Sequence, residues 1–116
     1  MAKNIIILGG DTSTHELTLS DSGHTKALKG DHIKWKIDDD KSTVKSIAGI
    51  SLKDTTKDIF SGSNGERPDK EDQKNWKAKI ADDVFDGDVC EYSIEWNDNE
   101  GRRHLHDPII SINPSV

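Results

Sequence analysis

The residues best able to do chemistry in this sequence are the two histidines of segment 104–106, His-Leu-His. Alternate residues of an extended strand project from the same side, so His104 and His106 are predicted to hold their imidazoles close enough to chelate one metal ion, Cu or Zn. Asp107 and Glu95 are the carboxylates that could complete the coordination. Because the sequence fixes no third ligand, a solvated histidine pair that binds no metal is the alternative.

Motifs for other chemistries are missing from the sequence. It contains no G-x-S-x-G, no H-E-x-x-H and no P-loop, and its acidic segment 82–91 does not have the spacing of a calcium loop. Carboxylates alone do not indicate an acid–base pair, because charged residues make up 33% of the chain. The sequence therefore predicts no enzyme, unless the fold brings together a catalytic cluster that is dispersed along the chain.

Large apolar residues recur in phase and predict the core rather than a binding surface. Cys90 alternates in step with Tyr92, Ile94 and Trp96, so it is predicted to be a buried thiol. The tryptophans also share faces with aliphatic neighbours, which favours core filling over an exposed platform for a sugar ring or a partner's side chain. The three are Trp35, Trp76 and Trp96.

The charge balance restricts the partners. A net charge of −6 repels phosphate backbones and anionic lipid surfaces, so neither nucleic acid nor a membrane is expected as a partner. The compact basic segment 102–104 is interpreted as a solvated turn. A single cysteine cannot form an internal disulfide, and the first residues are too poor in apolar side chains for a signal peptide. We expect a soluble, acidic protein that is cytoplasmic, or periplasmic or secreted if a leader peptide has been removed.

The elements that must position these residues are short strands. Alternating apolar residues and intervening turn signals predict about seven to eight strands, in residues 4–8, 15–20, 32–37, 43–50, 76–80, 90–97 and 109–112. Between residues 51 and 75 the alternation is lost, which predicts a long exposed connection with one short helical turn beginning at Pro68. At 116 residues the chain is predicted to be one domain, residues 1–116, with the all-β fold of a Greek-key β-sandwich.

Several segments carry a family resemblance. Segment 29–35, Lys-Gly-Asp-His-Ile-Lys-Trp, resembles the K-G-D-x-V-x-W strand of cupredoxin-like domains. The order of segments 42–46, 59–62, 87–94 and 107–112 is also similar to the layout of that family, over residues 17 to 113. The resemblance implies a cupredoxin-like sandwich.

The same resemblance implies that the blue-copper ligands of the family are missing. Its first copper histidine falls on Ser42 or Thr43, its cysteine falls on Ile94, and the axial methionine has no counterpart because Met1 is the only methionine. A thiolate and two imidazoles give such a site its affinity and redox behaviour. The resemblance therefore implies the scaffold without a type-1 copper cofactor.

Two functions follow as hypotheses. The first is a non-catalytic binding or interaction module for an unknown protein or small-molecule partner, with the connection 51–75 as its contact surface. The alternative is a non-blue metal-binding protein that holds Cu or Zn through His104 and His106.

Overall fold

The strands account for most of the described chain. The computed structural model describes residues 2–20, 23–38, 44–53, 58–60, 65–71 and 75–112. Within these ranges the chain forms ten strands: β1 (Ala2–Gly10), β2 (Leu17–Leu19), β3 (His24–Ala27), β4 (His32–Ile37), β5 (Val44–Leu52), β6 (Glu66–Lys70), β7 (Asn75–Lys79), β8 (Val89–Asp98), β9 (Arg103–His106) and β10 (Ile109–Ile112).

These strands form two mixed sheets. The first has the order β2-β1-β4-β7-β6, and the second has the order β3-β10-β8-β5, with β9 paired to the second half of β8. The pairs β1–β4 and β3–β10 are parallel, and the other pairs are antiparallel. The predicted all-β fold class is confirmed.

The core lies between the sheets and follows the alternation of the two central strands. On β4 the buried positions are Ile33, Trp35 and Ile37, and on β8 they include Tyr92 and Trp96. Period-two burial of this kind arises because successive side chains of a strand point to opposite faces. The prediction that Trp35 and Trp96 fill the core is confirmed, and Trp76 is only partly buried against it.

One polar contact joins the two sheets inside this core. The indole nitrogen of Trp35 donates a hydrogen bond of 3.1 Å to the hydroxyl oxygen of Tyr92, and both side chains are fully buried. Their ring centroids are 5.8 Å apart in an edge-to-face arrangement. Buried tryptophan and tyrosine usually satisfy their polar atoms in this way, so the pair adds specificity to an otherwise apolar core.

The structure contains strands that the sequence did not predict, and they lie in segments of low hydropathy. The helical turn expected at Pro68 is wrong, because residues 66–70 form β6 at the edge of the first sheet. Strand β3 was also not expected, and β9 was expected only as the extended segment that carries His104 and His106. An edge strand buries little surface and tolerates proline, so its sequence needs no apolar alternation. β6 shows this directly, since four of its five residues are exposed.

Some expectations lie outside the described residues. They include the copper-ligand positions at Ser42 and Thr43, and parts of the connection between residues 51 and 75. In the described ranges we find no helix with the length and apolar character that a membrane crossing requires.

Gly10 of β1 lies directly against the indole of Trp96 in the second sheet. A Cβ atom added at Gly10 would stand 2.5 Å from Cη2 of Trp96, whereas one added at the neighbouring Gly9 would meet nothing within 4 Å. The indole of Trp96 cannot swing aside freely, because its nitrogen bonds the His15 carbonyl at 3.2 Å.

We therefore expect Gly10→Ala to lower the free energy of unfolding by about 1–3 kcal/mol through overpacking. Gly9→Ala is the matched control and should leave stability unchanged or raise it slightly, because alanine restricts the unfolded chain. Urea unfolding followed by tryptophan fluorescence measures both. Equal stability of the two variants would contradict the packing described for Trp96.

Candidate functional site

The two predicted metal-site histidines lie on β9, beside β8. In the antiparallel register, His104 pairs with Trp96 and His106 pairs with Ile94, both of which face the core. His104 is buried and His106 is half-buried, whereas Leu105 between them is 53% exposed. The strand therefore turns its histidines inward and its leucine outward.

His104 is held at both ring nitrogens. Its Nε2 lies 2.8 Å from Oδ2 of Asp98, and each side chain is only 3% exposed. Its Nδ1 lies 2.7 Å from Nδ1 of His15, and its ring stacks on Trp96 at a centroid distance of 4.3 Å. The three polar side chains form a continuous chain of hydrogen bonds from the core to the surface, which we call the imidazole chain (Asp98, His104 and His15).

Asp98 is fixed by the turn between β8 and β9. Its Oδ1 accepts hydrogen bonds from the backbone N–H groups of Glu100, at 2.8 Å, and Arg102, at 2.9 Å. The hydrogen bond with His104 is the main cause that holds the pKa of Asp98 below its ordinary value, and burial opposes it. The carboxylate is therefore kept charged and oriented toward His104.

His15 lies in a tight loop between β1 and β2 and adopts a φ of 68°. The loop is closed by Asp11, whose carbonyl accepts the His15 N–H at 2.8 Å and whose Oδ1 accepts the Ser13 N–H at 2.8 Å. A left-handed conformation is uncommon for a residue other than glycine and is retained only where surrounding contacts impose it. The loop therefore fixes the backbone of His15, and the exposed ring contacts His104.

His106 has a different environment. Its Nδ1 accepts the Leu17 N–H at 3.2 Å, so the neutral ring carries its hydrogen on Nε2. Among the residues that the structure describes, that buried Nε2 has no hydrogen-bond partner. Burial lowers the pKa of His106 below its ordinary value, and the nearby carboxylates of Glu16 and Asp107 oppose the shift. The site therefore favours a neutral imidazole.

The carboxylates that could have completed a metal site are engaged elsewhere. Glu95 pairs with Leu105 in the register, on the outer face of the sheet, and contacts Arg103 at 3.6 Å. Asp107 accepts a 2.7 Å hydrogen bond from Ser93 and pairs with Lys53 at 3.4 Å. Among the residues that the structure describes, no group of three or more His, Cys, Asp or Glu side chains is placed to hold a metal ion.

The residues at the blue-copper positions do not fit that metal. Ile94, the residue on which the cupredoxin resemblance places the copper cysteine, is fully buried in the apolar core. Cys90 is also buried, as predicted, and lies opposite Ile110 on the far half of β8. A hydrocarbon side chain has no donor atom, so this position cannot supply the thiolate of a type-1 copper site.

A second polar feature lies on the outer surface, where the edges of the two sheets meet. A cleft of about 330 Å³ is lined by three cationic side chains, two polar side chains and two apolar residues of β5. We call it the basic cleft; its lining residues are Lys45, Ser46, Ile47, Ala48, Lys70, Asn97 and Arg103. The Asn97 amide donates a 3.1 Å hydrogen bond to the Ser46 hydroxyl at its floor.

Sequence reasoning missed most of these residues. His15 and His104 are 89 residues apart, so no local sequence pattern connects them. Asp98, Asn99 and Gly101 are turn-forming residues that indicate a hairpin, but this local pattern does not connect Asp98 with a histidine. The cations of the basic cleft come from three strands and have no common sequence pattern.

The burial of neutral His106 predicts a pH dependence. The folded-state pKa lies below the unfolded value of about 6.5, so the unfolded chain takes up the proton first as pH falls. The stabilisation of the folded state that depends on a neutral His106 is complete above pH 6.5. It is lost as pH falls from there through the folded-state pKa of His106.

We expect the free energy of unfolding to fall between pH 7.5 and 5.5, and His106→Asn to reduce this fall, because asparagine can accept the Leu17 N–H without titrating. The matched control is His32→Asn, on the exposed side of β4. Urea unfolding at several pH values measures the effect. An identical pH dependence in the two variants would contradict this account.

The comparisons with known proteins bear on family membership. No protein-family model matches this sequence, and no curated protein matches it. The resemblance to cupredoxins therefore stays a prediction from short motifs, and the contacts of the described side chains are what bear on function.

Proposed function

We propose that this domain is a non-catalytic binding module that holds an anionic group of its ligand in the basic cleft. The proposed scaffold is a Greek-key, cupredoxin-like sandwich without a type-1 copper site. The observation that carries the proposal is the convergence of Lys45, Lys70 and Arg103 on one cleft of a chain whose net charge is −6. A local positive field in an acidic protein attracts anions and leaves the rest of the surface repulsive to them.

The chemistry of the lining suits a carboxylate, sulfate or phosphate group. Lysines provide ammonium donors, and the Arg103 guanidinium can donate two parallel hydrogen bonds to such an oxyanion. The Ser46 oxygen already accepts from Asn97, which leaves its hydroxyl hydrogen to donate to a ligand. These groups together supply donors from several directions.

Arg103 is available for such a ligand despite its ion pair. Its contact with Glu95 is 3.6 Å long, and the two side chains are 63% and 41% exposed. Exposed ion pairs of this kind contribute about 0–1 kcal/mol, so an incoming oxyanion can compete for the guanidinium. The small residues Ser46 and Ala48 of β5 leave the space that the anion occupies.

The cleft also involves part of the connection predicted as the contact surface. Lys70 belongs to β6, which lies within residues 51–75. The remaining cations come from β5 and β9 of the second sheet. A ligand in the cleft would therefore bridge the two sheets.

Titration with glucose 6-phosphate tests the proposal, with glucose as the neutral probe. We expect saturable amide shifts in residues 45–48, 70, 97 and 103 with the phosphate ester, and none with glucose. Arg103→Gln should weaken binding about tenfold, since a hydrogen bond to a charged group contributes about 1.5–3 kcal/mol. Added salt should weaken binding as well.

Lys26→Gln is the matched control, because it removes one positive charge from an exposed position of β3, at the opposite edge of the second sheet. It should leave the affinity nearly unchanged. Equal weakening by Lys26→Gln and Arg103→Gln would show that only the overall charge matters. That result, or shifts outside the basic cleft, would contradict the proposed site.

The second candidate function is non-blue binding of Cu or Zn by His104 and His106. The observation that favours it is the His106 ring, which burial keeps neutral and whose Nε2 is buried without a hydrogen-bond partner among the described residues. Because the Leu17 N–H places the ring hydrogen on Nε2, a metal on Nε2 requires the other tautomer and the loss of that hydrogen bond. Neutral imidazole is the form that ligates metals. His104 would have to give up its contact with Asp98 or His15, so this function requires a rearrangement of the imidazole chain.

Copper addition separates the ligand types. We expect a pale Cu(II) complex with nitrogen and oxygen ligands, weakened by His106→Gln and not by His32→Gln. Cys90 lies four residues before Ile94, which at about 3.3 Å per residue places it roughly 13 Å away along β8. An intense thiolate-to-copper absorption band that disappears in Cys90→Ser would contradict this expectation.

A further inference from the structure

We propose that the basic cleft selects phosphate monoesters, which carry two negative charges, over sulfate esters and carboxylates, which carry one. The inference rests on the proposed function, because it names the ligand class of the same site. It concerns the charge and the shape of the head group that the cleft holds, and it applies to any organic group that carries this head group.

The charge of the cleft matches a doubly charged ligand. In the part of the chain that the structure describes, the lining contains three cations, Lys45, Lys70 and Arg103, and no carboxylate. The side chains of both lysines form no ion pair within the described residues, and only Arg103 has a carboxylate partner, Glu95. Two positive charges therefore remain uncompensated, which a dianion neutralises and a monoanion does not.

Glu95 compensates Arg103 from outside the cleft. It pairs with Gly49 of β5 in the register, and a Cβ atom added at Gly49 would stand 3.8 Å from Oε2 of Glu95. The Glu95 side chain therefore lies over Gly49, beyond residues 45–48 that line the cleft. A ligand can contact the two lysines without displacing this carboxylate.

The charge of the head group sets how strongly these cations attract it. The Coulomb energy is proportional to the charge of the ligand, so a second negative charge adds as much attraction as the first. All three cationic residues are exposed, so they act through water, where each pair of charges interacts weakly. We therefore expect a selectivity of about tenfold and not of several orders of magnitude.

The positions of the donors favour a tetrahedral head group. Lys70 belongs to β6 of the first sheet, and Lys45 and Arg103 belong to β5 and β9 of the second. A phosphate ester presents three terminal oxygens in different directions, whereas a carboxylate has two oxygens in one plane. A sulfate ester has three such oxygens and a single charge, so it separates the effect of charge from the effect of shape.

Glucose 6-phosphate, glucose 6-sulfate and glucuronate test the selectivity, because they share a sugar ring and differ in the charged group. Amide shifts of residues 45–48, 70, 97 and 103 at pH 8 and low salt give the dissociation constants. We expect the phosphate to bind about tenfold more tightly than the other two. Equal affinity for the phosphate and the sulfate would overturn this inference and leave the proposed anion site standing. Absence of binding by all three would overturn both.

The titration of the ligand itself provides a second measurement. The second pKa of a phosphate ester is about 6, so the ester loses one negative charge between pH 8 and pH 5, whereas a sulfate ester keeps its charge. We expect the affinity for glucose 6-phosphate to fall to that for glucose 6-sulfate by pH 5. The sulfate ester reports any change in the protein over the same range. An affinity ratio that does not change with pH would overturn the inference.

Lys45→Gln tests whether the cations of the cleft cause the selectivity. Loss of one positive charge should weaken phosphate binding by the square of the factor for sulfate binding, about tenfold against about threefold. Lys26→Gln removes the same charge from β3, at the opposite edge of the second sheet, and should leave both affinities nearly unchanged. Equal factors for the two esters in Lys45→Gln would show that charge does not decide the selectivity, and would also overturn the inference.

Discussion

The hydrogen bond between Trp35 and Tyr92 is the contact on which the relation of the two sheets depends. Trp35 comes from β4, at the centre of the first sheet, and Tyr92 comes from β8, between β10 and β5. An unpaired indole N–H in this core would cost about 1–3 kcal/mol, so the sheets are favoured in the one alignment that pairs it. With apolar residues at only 31% of the chain, few other large side chains could replace this pair.

Trp96 also connects separate elements, at the end of the core. Its ring lies against Gly10, its nitrogen bonds the His15 carbonyl, and its face stacks on His104. One side chain thus connects β1, the loop before β2, and the hairpin of β8 and β9. The side chains of the imidazole chain therefore rest on packed elements, which restricts the positions that their rings can adopt.

The central strands could be predicted from the sequence, whereas the candidate site could not. β4 and β8 are recognisable because their apolar residues alternate across a pleated strand. On β9 the apolar residue is outside and the polar residue is inside: Leu105 faces solvent and His104 faces the core. Asp98 and His15 provide hydrogen-bond partners for the two ring nitrogens of His104. Burial of that ring depends on a partner 89 residues away, and Lys70 likewise reaches the basic cleft from the other sheet. Local periodicity carries no information about contacts of this kind.

The parallel pairing of β3 with β10 has a consequence during synthesis. In the described part of the chain, β10 is the strand that joins β3 to β8, so β3 has no sheet to enter until residues 109–112 have left the ribosome. At translation rates of about 5–20 residues per second, the interval is on the order of ten seconds. Such non-local pairings also form slowly, because the loop-closure entropy is lost before the contacts form. The β3 segment therefore waits without its partner strand while the residues between it and β10 are synthesised.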